Sequence, residues 1–164
     1  MRITRALVRK VFALVRDYYR AVIGSYRITV DPQMPLDCLL ARCAFYDVDP
    51  GITEHNFPRP GGIPYKVRFV VLRLSKKASE ATIHKELAER GLCHATLWEL
   101  LAFVASNSLS MQSYTLIEFG SLTRVPGAGF AAVCFKQYGQ KRYLTLPWLG
   151  GTWESRYLIA AVRP

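Results

Sequence analysis

The side chains able to do chemistry are few and poorly spaced for catalysis. Cys38, Cys43, Cys93 and Cys134 show no Cys-x-x-Cys spacing and lie mostly inside apolar patterns. That placement predicts buried free thiols in a reducing compartment rather than a disulfide framework or a metal set. His55, His84 and His94 are scattered, and none shares a helix face with a cysteine or a second histidine, so no metal ligand set is expected. Ser106 to Ser113 contains no Gly-x-Ser-x-Gly elbow and reads as a helix end and turn. The last 45 residues, Gly120 to Pro164, hold one carboxylate, Glu154, and no histidine. Neither a carboxylate pair nor a nucleophile with its base can be assembled there, so no catalytic residue and no cofactor is expected. Asp47, Asp49 and Glu54 have calcium-binding chemistry, but three carboxylates in a Pro-rich loop are ordinarily solvated.

What the C-terminal segment does offer is contact surface. It reads as short strands joined by Gly-rich turns: Phe130 to Phe135 is a buried-type run, Arg142 to Trp148 alternates with period two, and Tyr157 to Val162 is a second apolar run. In the alternating strand Leu144 and Leu146 point one way, and Tyr143, Thr145 and Pro147 the other. Trp148 and Trp153 stand five apart around a Gly-Gly turn.

The chain has 164 residues, enough for one domain with a real core, and a globular composition of 51% hydrophobic and 21% charged residues. No apolar run is long enough to span a bilayer. Its net charge of +10 sits at the two ends: residues 1–27 carry seven Arg/Lys and one Asp, the last 45 carry six and one Glu, and the middle is nearly balanced. Such an excess suits nucleic acid, an anionic membrane surface or an acidic partner.

Residues 1–24 read as a basic amphipathic helix, with Ile3, Leu7, Val11, Leu14, Tyr18 and Val22 on one stripe and Arg2, Arg5, Arg9, Arg16 and Arg20 opposite. Arg16 and Asp17 interrupt its apolar region too early for a signal peptide. Packing on its own domain, pairing with a sister chain, lying in a membrane interface and contacting nucleic acid all fit this pattern. Tyr26 to Asp31 predicts a strand, Pro35 to Phe45 a short helix, and Asp47 to Pro64 a long irregular loop pinned by Ile52 and Phe57. Lys66 to Leu74 predicts a central strand with two apolar faces. Ser79 to Arg90 predicts a helix closed by Gly91. A second helix starts at Thr96, with Glu99 completing a capping box, and Thr115 to Phe119 leads as a strand into Gly120. The order is that of an α+β chain whose C-terminal third is all β.

From Tyr26 onward the sequence resembles a group of uncharacterised candidate-phyla-radiation bacterial proteins. The residues that carry the likeness are Tyr26-Arg-Ile-Thr-Val-Asp31, Asp49-Pro-Gly-Ile-Thr-Glu54 with Phe57-Pro58, Ala95-Thr-Leu-Trp-Glu-Leu-Leu-Ala-Phe103, Gly120-Ser121, Arg142 with Leu144, Leu146 and Trp148, Trp153, and Ala161-Val-Arg163. The helix-helix-strands order and the double Trp are similar to a C-type-lectin fold, two helices packed on short antiparallel strands. In particular they resemble the variable proteins of diversity-generating retroelements. The resemblance implies a lectin-like domain over 26–164 with a variable segment of about 120–164; the basic amphipathic helix, assigned to 1–25 as a unit of its own, has no counterpart in it. It further implies a fixed scaffold of Gly120, Ser121, Arg142, Leu144, Leu146, Trp148, Trp153 and Arg163. The displayed, ligand-binding positions would be Leu122, Thr123, Phe130, Cys134, Tyr138, Tyr143, Thr145, Pro147, Leu149, Gly150, Thr152, Ser155 and Tyr157. None of these is Lys, Gln, Glu, Met or Trp, the residues that adenine-directed mutation of an AAC codon cannot produce. Leu158 and Pro164 depart from the pattern, which has Arg and Lys there.

The function this implies is non-enzymatic binding of a protein or other macromolecule in the cytoplasm, with self-association through the N-terminal helix and peripheral membrane attachment as further expectations. The alternative is nucleic-acid binding, for which Lys136, Lys141 and Arg142 beside Tyr138 and Tyr143 supply charge and stacking surface.

Overall fold

A computed structural model describes residues 22–74, 76–107, 109, 111–125 and 129–164. The helix expected over 1–24 lies outside these residues as far as residue 21, and Ser108 and Ser110 of the Ser-rich piece lie outside them too. Val22 to Gly24 are not helical. They open β1 (Val22–Val30), whose residues pair antiparallel with β3 (Tyr65–Arg73) from Val22↔Leu72 to Val30↔Tyr65. Val22 is β-branched and pairs with Leu72 here, Ile23 falling at a bulge, so the boundary expected between 25 and 26 lies inside one strand.

The remaining elements follow the expected order. They are α1 (Leu36–Cys43), β2 (Asp47–Val48), β4 (Ala78–Ser79), α2 (Glu80–Glu89), β5 (Cys93–His94), α3 (Leu97–Ser106), β6 (Ser113–Val125), β7 (Gly129–Tyr138), β8 (Lys141–Thr145), β9 (Thr152–Trp153) and β10 (Leu158–Arg163). The structure is thus α+β. Its main sheet runs β1-β3-β10-β6-β7-β8-β2, and β9 pairs with β4 in a small second sheet. The last strand returns to the middle: β10 is antiparallel to β3 on one edge, and on the other its first half is parallel to β6 while its second half pairs with β5.

Both faces of this sheet are packed, which explains the unbroken apolar runs in β3 and β10. On the inner face Phe69, Val71, Leu116, Val133, Phe135, Leu144 and Ala160 join α1, α3 and the loop after β2 in one core. Phe69 and Phe103 stack there with centroids 4.5 Å apart. On the outer face Val70, Leu72, Ile117, Ala132, Cys134 and Ile159 meet Ile83 and Leu87 of α2 and Trp153. Each inner residue is followed by an outer one, as strand geometry dictates.

The loop expected over 47–64 begins with the two-residue β2 and is otherwise irregular, and Ile52 and Phe57 are buried beneath it. Its carboxylates have local work. The Glu54 carboxylate accepts the N–H of Leu36 at 2.9 Å and pairs with Arg59 at 3.1 Å, and Asp49 Oδ1 accepts from Gly51 N–H at 2.8 Å.

Arg142 ties the helices to the sheet. Its side chain leaves β8 on the inner face, and Nη1 donates to the carbonyls of Cys43 at 3.0 Å and Val104 at 3.4 Å, at or near the C-terminal ends of α1 and α3. A cation there satisfies orphan carbonyls and meets the negative ends of two helix dipoles. Replacing Arg142 by Ala is expected to lower unfolding free energy by about 1.5–3 kcal/mol, the range for hydrogen bonds to a charged group. Arg142→Lys should recover part of it, as read from urea midpoints.

Candidate binding surface

The β7–β8 hairpin sets the geometry of the C-terminal segment. Cys134 lies opposite Thr145, Lys136 opposite Tyr143 and Tyr138 opposite Lys141, so these six share the outer face. The outer core covers this face as far as Cys134 and stops. Beyond it Lys136, Tyr138, Lys141, Tyr143 and Thr145 are half-buried or exposed, with no element packed over them among the described residues. Tyr143 is the hub, its ring meeting Tyr46 edge-on at 5.5 Å and Tyr138 at 6.1 Å, while Lys141 Nζ stands 4.5 Å over the Tyr46 ring.

Past Thr145 the chain continues along the edge of β7: Ala132 N–H donates to the Pro147 carbonyl and Leu149 N–H to that of Phe130. It then folds into a surface groove of about 140 Å³ bordered by Trp148, Leu149, Gly150, Thr152 and Tyr157, with Trp153 at its base. The Trp153 ring is buried edge-on against Phe119 at 5.4 Å and Tyr157 at 5.8 Å.

Most of the thirteen positions expected on the displayed face reach solvent, and they form neighbouring areas. Tyr138, Tyr143, Thr145 and Pro147 lie on the open outer face. Leu149, Gly150, Thr152 and Tyr157 line the groove, with Ser155 exposed beside it. Leu122 and Phe130, 38% and 55% exposed, stand at the far end of the β6–β7 hairpin.

Two positions are corrected. Cys134 is 2% exposed because the outer core closes over it, and that burial pushes its thiol up to about 11. Thr123 is 6% exposed because a bulge turns it to the inner side, opposite Ala131. The two Trp also differ from expectation. Trp153 is part of the packing, whereas Trp148 is 60% exposed and lies over Gly150, where an added Cβ would fall 1.6 Å from its ring. Gly150 therefore accepts a side chain only if Trp148 moves. Cys38 and Cys93, expected to be buried, are exposed, and all four cysteines are free thiols.

The bulge depends on a buried polar cluster. Residues 119–122 of β6 stand against Ala132 alone on β7. Gly120 N–H donates to the Ala95 carbonyl, and a Cβ at Gly120 would lie 2.5 Å from that oxygen, so only glycine fits. The Ser121 hydroxyl accepts the N–H of Leu97 at 2.8 Å, supplying one of the orphan donors at the start of α3. The expected capping box is present: Thr96 accepts from Glu99 N–H, and Glu99 Oε2 accepts from Thr96 N–H at 2.7 Å. Glu99 Oε1 also accepts from the Tyr65 hydroxyl at 3.2 Å. Beneath them Glu118 is fully buried, with Oε2 accepting the Ser121 N–H at 2.9 Å and Oε1 unpartnered. Burial, and more weakly the Glu99 carboxylate, hold the Glu118 carboxyl protonated well above the usual range.

Sequence reasoning missed this residue, although an acid between Ile117 and Phe119 in an apolar strand is its signal. It also missed Tyr46 and the pair formed by His84 and His94. With ring centroids 5.2 Å and nitrogens 3.1 Å apart, those imidazole nitrogens point straight at each other, which makes a hydrogen bond and not a chelate. Among the described residues no three His, Cys, Asp or Glu come together as a metal site. Burial, then the neighbouring His84, bring His94 down from 6.5 to about 4. No family model matches the chain, and none of the curated proteins or solved structures is significantly similar to it.

These two groups act in opposite directions on stability. Glu118 is easier to protonate folded than unfolded, so its contribution is complete below pH 4.5 and is lost as pH rises through its folded value. His94 is harder to protonate folded, so stability is lost as pH falls from 6.5 through about 4. Glu118→Gln should flatten the decline in urea midpoint as pH rises above 4.5, and His94→Gln the decline as pH falls below 6.5. Swapped or absent effects would contradict the full burial of Glu118 and the half-buried placement of His94.

Proposed function

We propose that this chain is a non-enzymatic binding protein whose C-terminal surface is diversified while a lectin-like scaffold beneath it stays fixed, as in the variable proteins of diversity-generating retroelements. The observation that carries this reading is the alternation in β8 and the segment after it. Arg142, Leu144 and Leu146 hold the inner core, while Tyr143, Thr145 and Pro147, marked as variable by the resemblance, stand on the outer face. Outward positions of this kind can change at little cost to the fold. The lectin-like reading is supported by two successive helices, α2 and α3, then the antiparallel β6–β7–β8 set, with β10 returning beside β3.

The mode of action is surface complementarity. Tyr138, Tyr143 and Tyr157 give large contact area with few rotors to freeze, and Gly, Ser and Thr adapt around them. Thr123 and Cys134 are left out of the diversified set because they are core. Free thiols at all four cysteines favour a reducing compartment, the basis for proposing a cytoplasmic location. Among the described residues no helix is long and apolar enough to cross a membrane.

Sequencing the encoding locus in several sister cells tests the proposal. The expected result is a near-copy of codons 120–164 beside a reverse-transcriptase gene, with differences confined to template adenines. A locus lacking both, with codons 120–164 varying no more than the rest, would overturn it. The scaffold half of the proposal has its own test in urea unfolding. Tyr143→Ser should cost no more than about 1 kcal/mol, an ordinary surface value, and Leu144→Ala about 2–5 kcal/mol, a core value.

A further inference from the structure

The open end of the outer face carries a feature that goes beyond a diversified surface, because three of its five members lie outside the positions marked as variable. Tyr46 comes from the turn after α1, and Lys136 and Lys141 from the hairpin. With Tyr138 and Tyr143 they make a patch of three rings in edge contact, flanked by two lysines. Tyr46 is 66% and Tyr138 53% exposed, so ring surface is left free on both sides of the Tyr143 hub. Neither lysine has a carboxylate partner among the described residues; Glu54, Glu89 and Glu154 pair instead with Arg59, Lys85 and Arg156. The nearest strand, β2, brings one acid, Asp47, beside Tyr143.

Exposed rings at short spacing, flanked by lysines that have no carboxylate partner among the described residues, match a chain of flat bases joined by phosphates; Lys141 stands over one face of Tyr46 and leaves the rest of that 66%-exposed ring to a base. An acidic peptide would use the lysines but leave the rings without a stacking partner, and a duplex would present its phosphates while hiding its base faces. We infer that the Tyr46–Tyr138–Tyr143 face with Lys136 and Lys141 binds single-stranded nucleic acid, bases stacking on Tyr46 and Tyr138 and phosphates meeting the two lysines. Sequence preference is weak in this arrangement, since every base has a face to stack.

The test is fluorescence anisotropy of a labelled 12-nucleotide oligo-dT with the full chain, titrated at several salt concentrations. Residues 1–21 carry six Arg/Lys of their own, so salt dependence by itself does not locate the site. The patch variants do. Tyr46→Ala and Tyr138→Ala should each weaken binding by about fivefold or more, the loss of one base stack, while Tyr138→Phe should leave it nearly unchanged. Lys136→Ala with Lys141→Ala should weaken binding and lower the slope of log affinity against log salt by roughly one to two. Circular dichroism and urea midpoints of the same variants separate lost binding from lost folding.

No binding at low salt, or binding insensitive to both tyrosine substitutions, overturns the inference. Equal competition by polyglutamate overturns it in favour of an acidic protein partner, and equal competition by duplex DNA in favour of a charge-only contact. These results are independent of the locus sequencing. A chain with no template repeat can still bind oligo-dT through this face, and a diversified one can fail to.

Discussion

Glu118 places a carboxyl group in the interior of a β-strand, and the geometry of the β6–β7 hairpin follows from how the chain accommodates it. Two oxygens buried without water must find donors or lose their charge. One takes the N–H of Ser121, which is within reach only because β6 leaves its register and bulges over residues 119–122. The other stays unpartnered, and the group is held protonated. The same bulge brings Gly120 against the Ala95 carbonyl and Ser121 against the first amide of α3. Strand and helix are therefore locked by a few polar contacts at the margin of the apolar core, where Ser121 is half-buried and only Glu118 beneath it is fully buried. Beyond the bulge the alternation is reset, so that Leu122 points out and Thr123 in.

Arg142 does the corresponding work at the other end of the hairpin. It reaches inward from a strand whose neighbouring residue, Tyr143, stands outward, and it holds two helix ends that would otherwise leave carbonyls unpaired. Between the buried, protonated Glu118 and the half-buried Arg142 the inner face is fixed by polar contacts as well as by Phe135 and Leu144. The outer face beyond Cys134 carries little of the stabilising burial. Backbone position and surface identity are thus separated by strand alternation, and a surface organised this way can change residue by residue while its support stays put.

Much of this was legible in the amino-acid pattern. The apolar runs of β3 and β10 announce strands packed on both faces, Thr96 and Glu99 announce a helix start, and Leu144 against Tyr143 announces the two faces of β8. Local rules suffice for these because each depends on neighbours within a few residues. What failed depends on contacts distant in sequence. Val22 continues a helical stripe on paper, yet it pairs with Leu72 of β3 fifty residues away. Thr123 belongs to the expected alternation until the bulge shifts it. Cys134 alternates with Val133 and Phe135 as an outward residue should, but outward there means beneath the second core. Gly150 has the composition of a free turn, and only the Trp148 ring above it removes that freedom.

Tyr46 makes the same point about the candidate site. In sequence it stands between Phe45 and Asp47 after a helix, with no basic residue beside it to mark it. The left-handed turn at Ala44 and the hydrogen bond from Tyr46 N–H to the Arg142 carbonyl carry it to the hairpin, where its ring meets Tyr143 and Lys141. Arg142 therefore contributes twice, its side chain holding the helices inside and its backbone holding Tyr46 outside. A residue that anchors the core in this way also sets the spacing of the rings on the surface. The outer patch is accordingly held by the Tyr46–Arg142 backbone hydrogen bond and the β7–β8 pairing, and backbone placed before a ligand arrives reduces the ordering cost of binding.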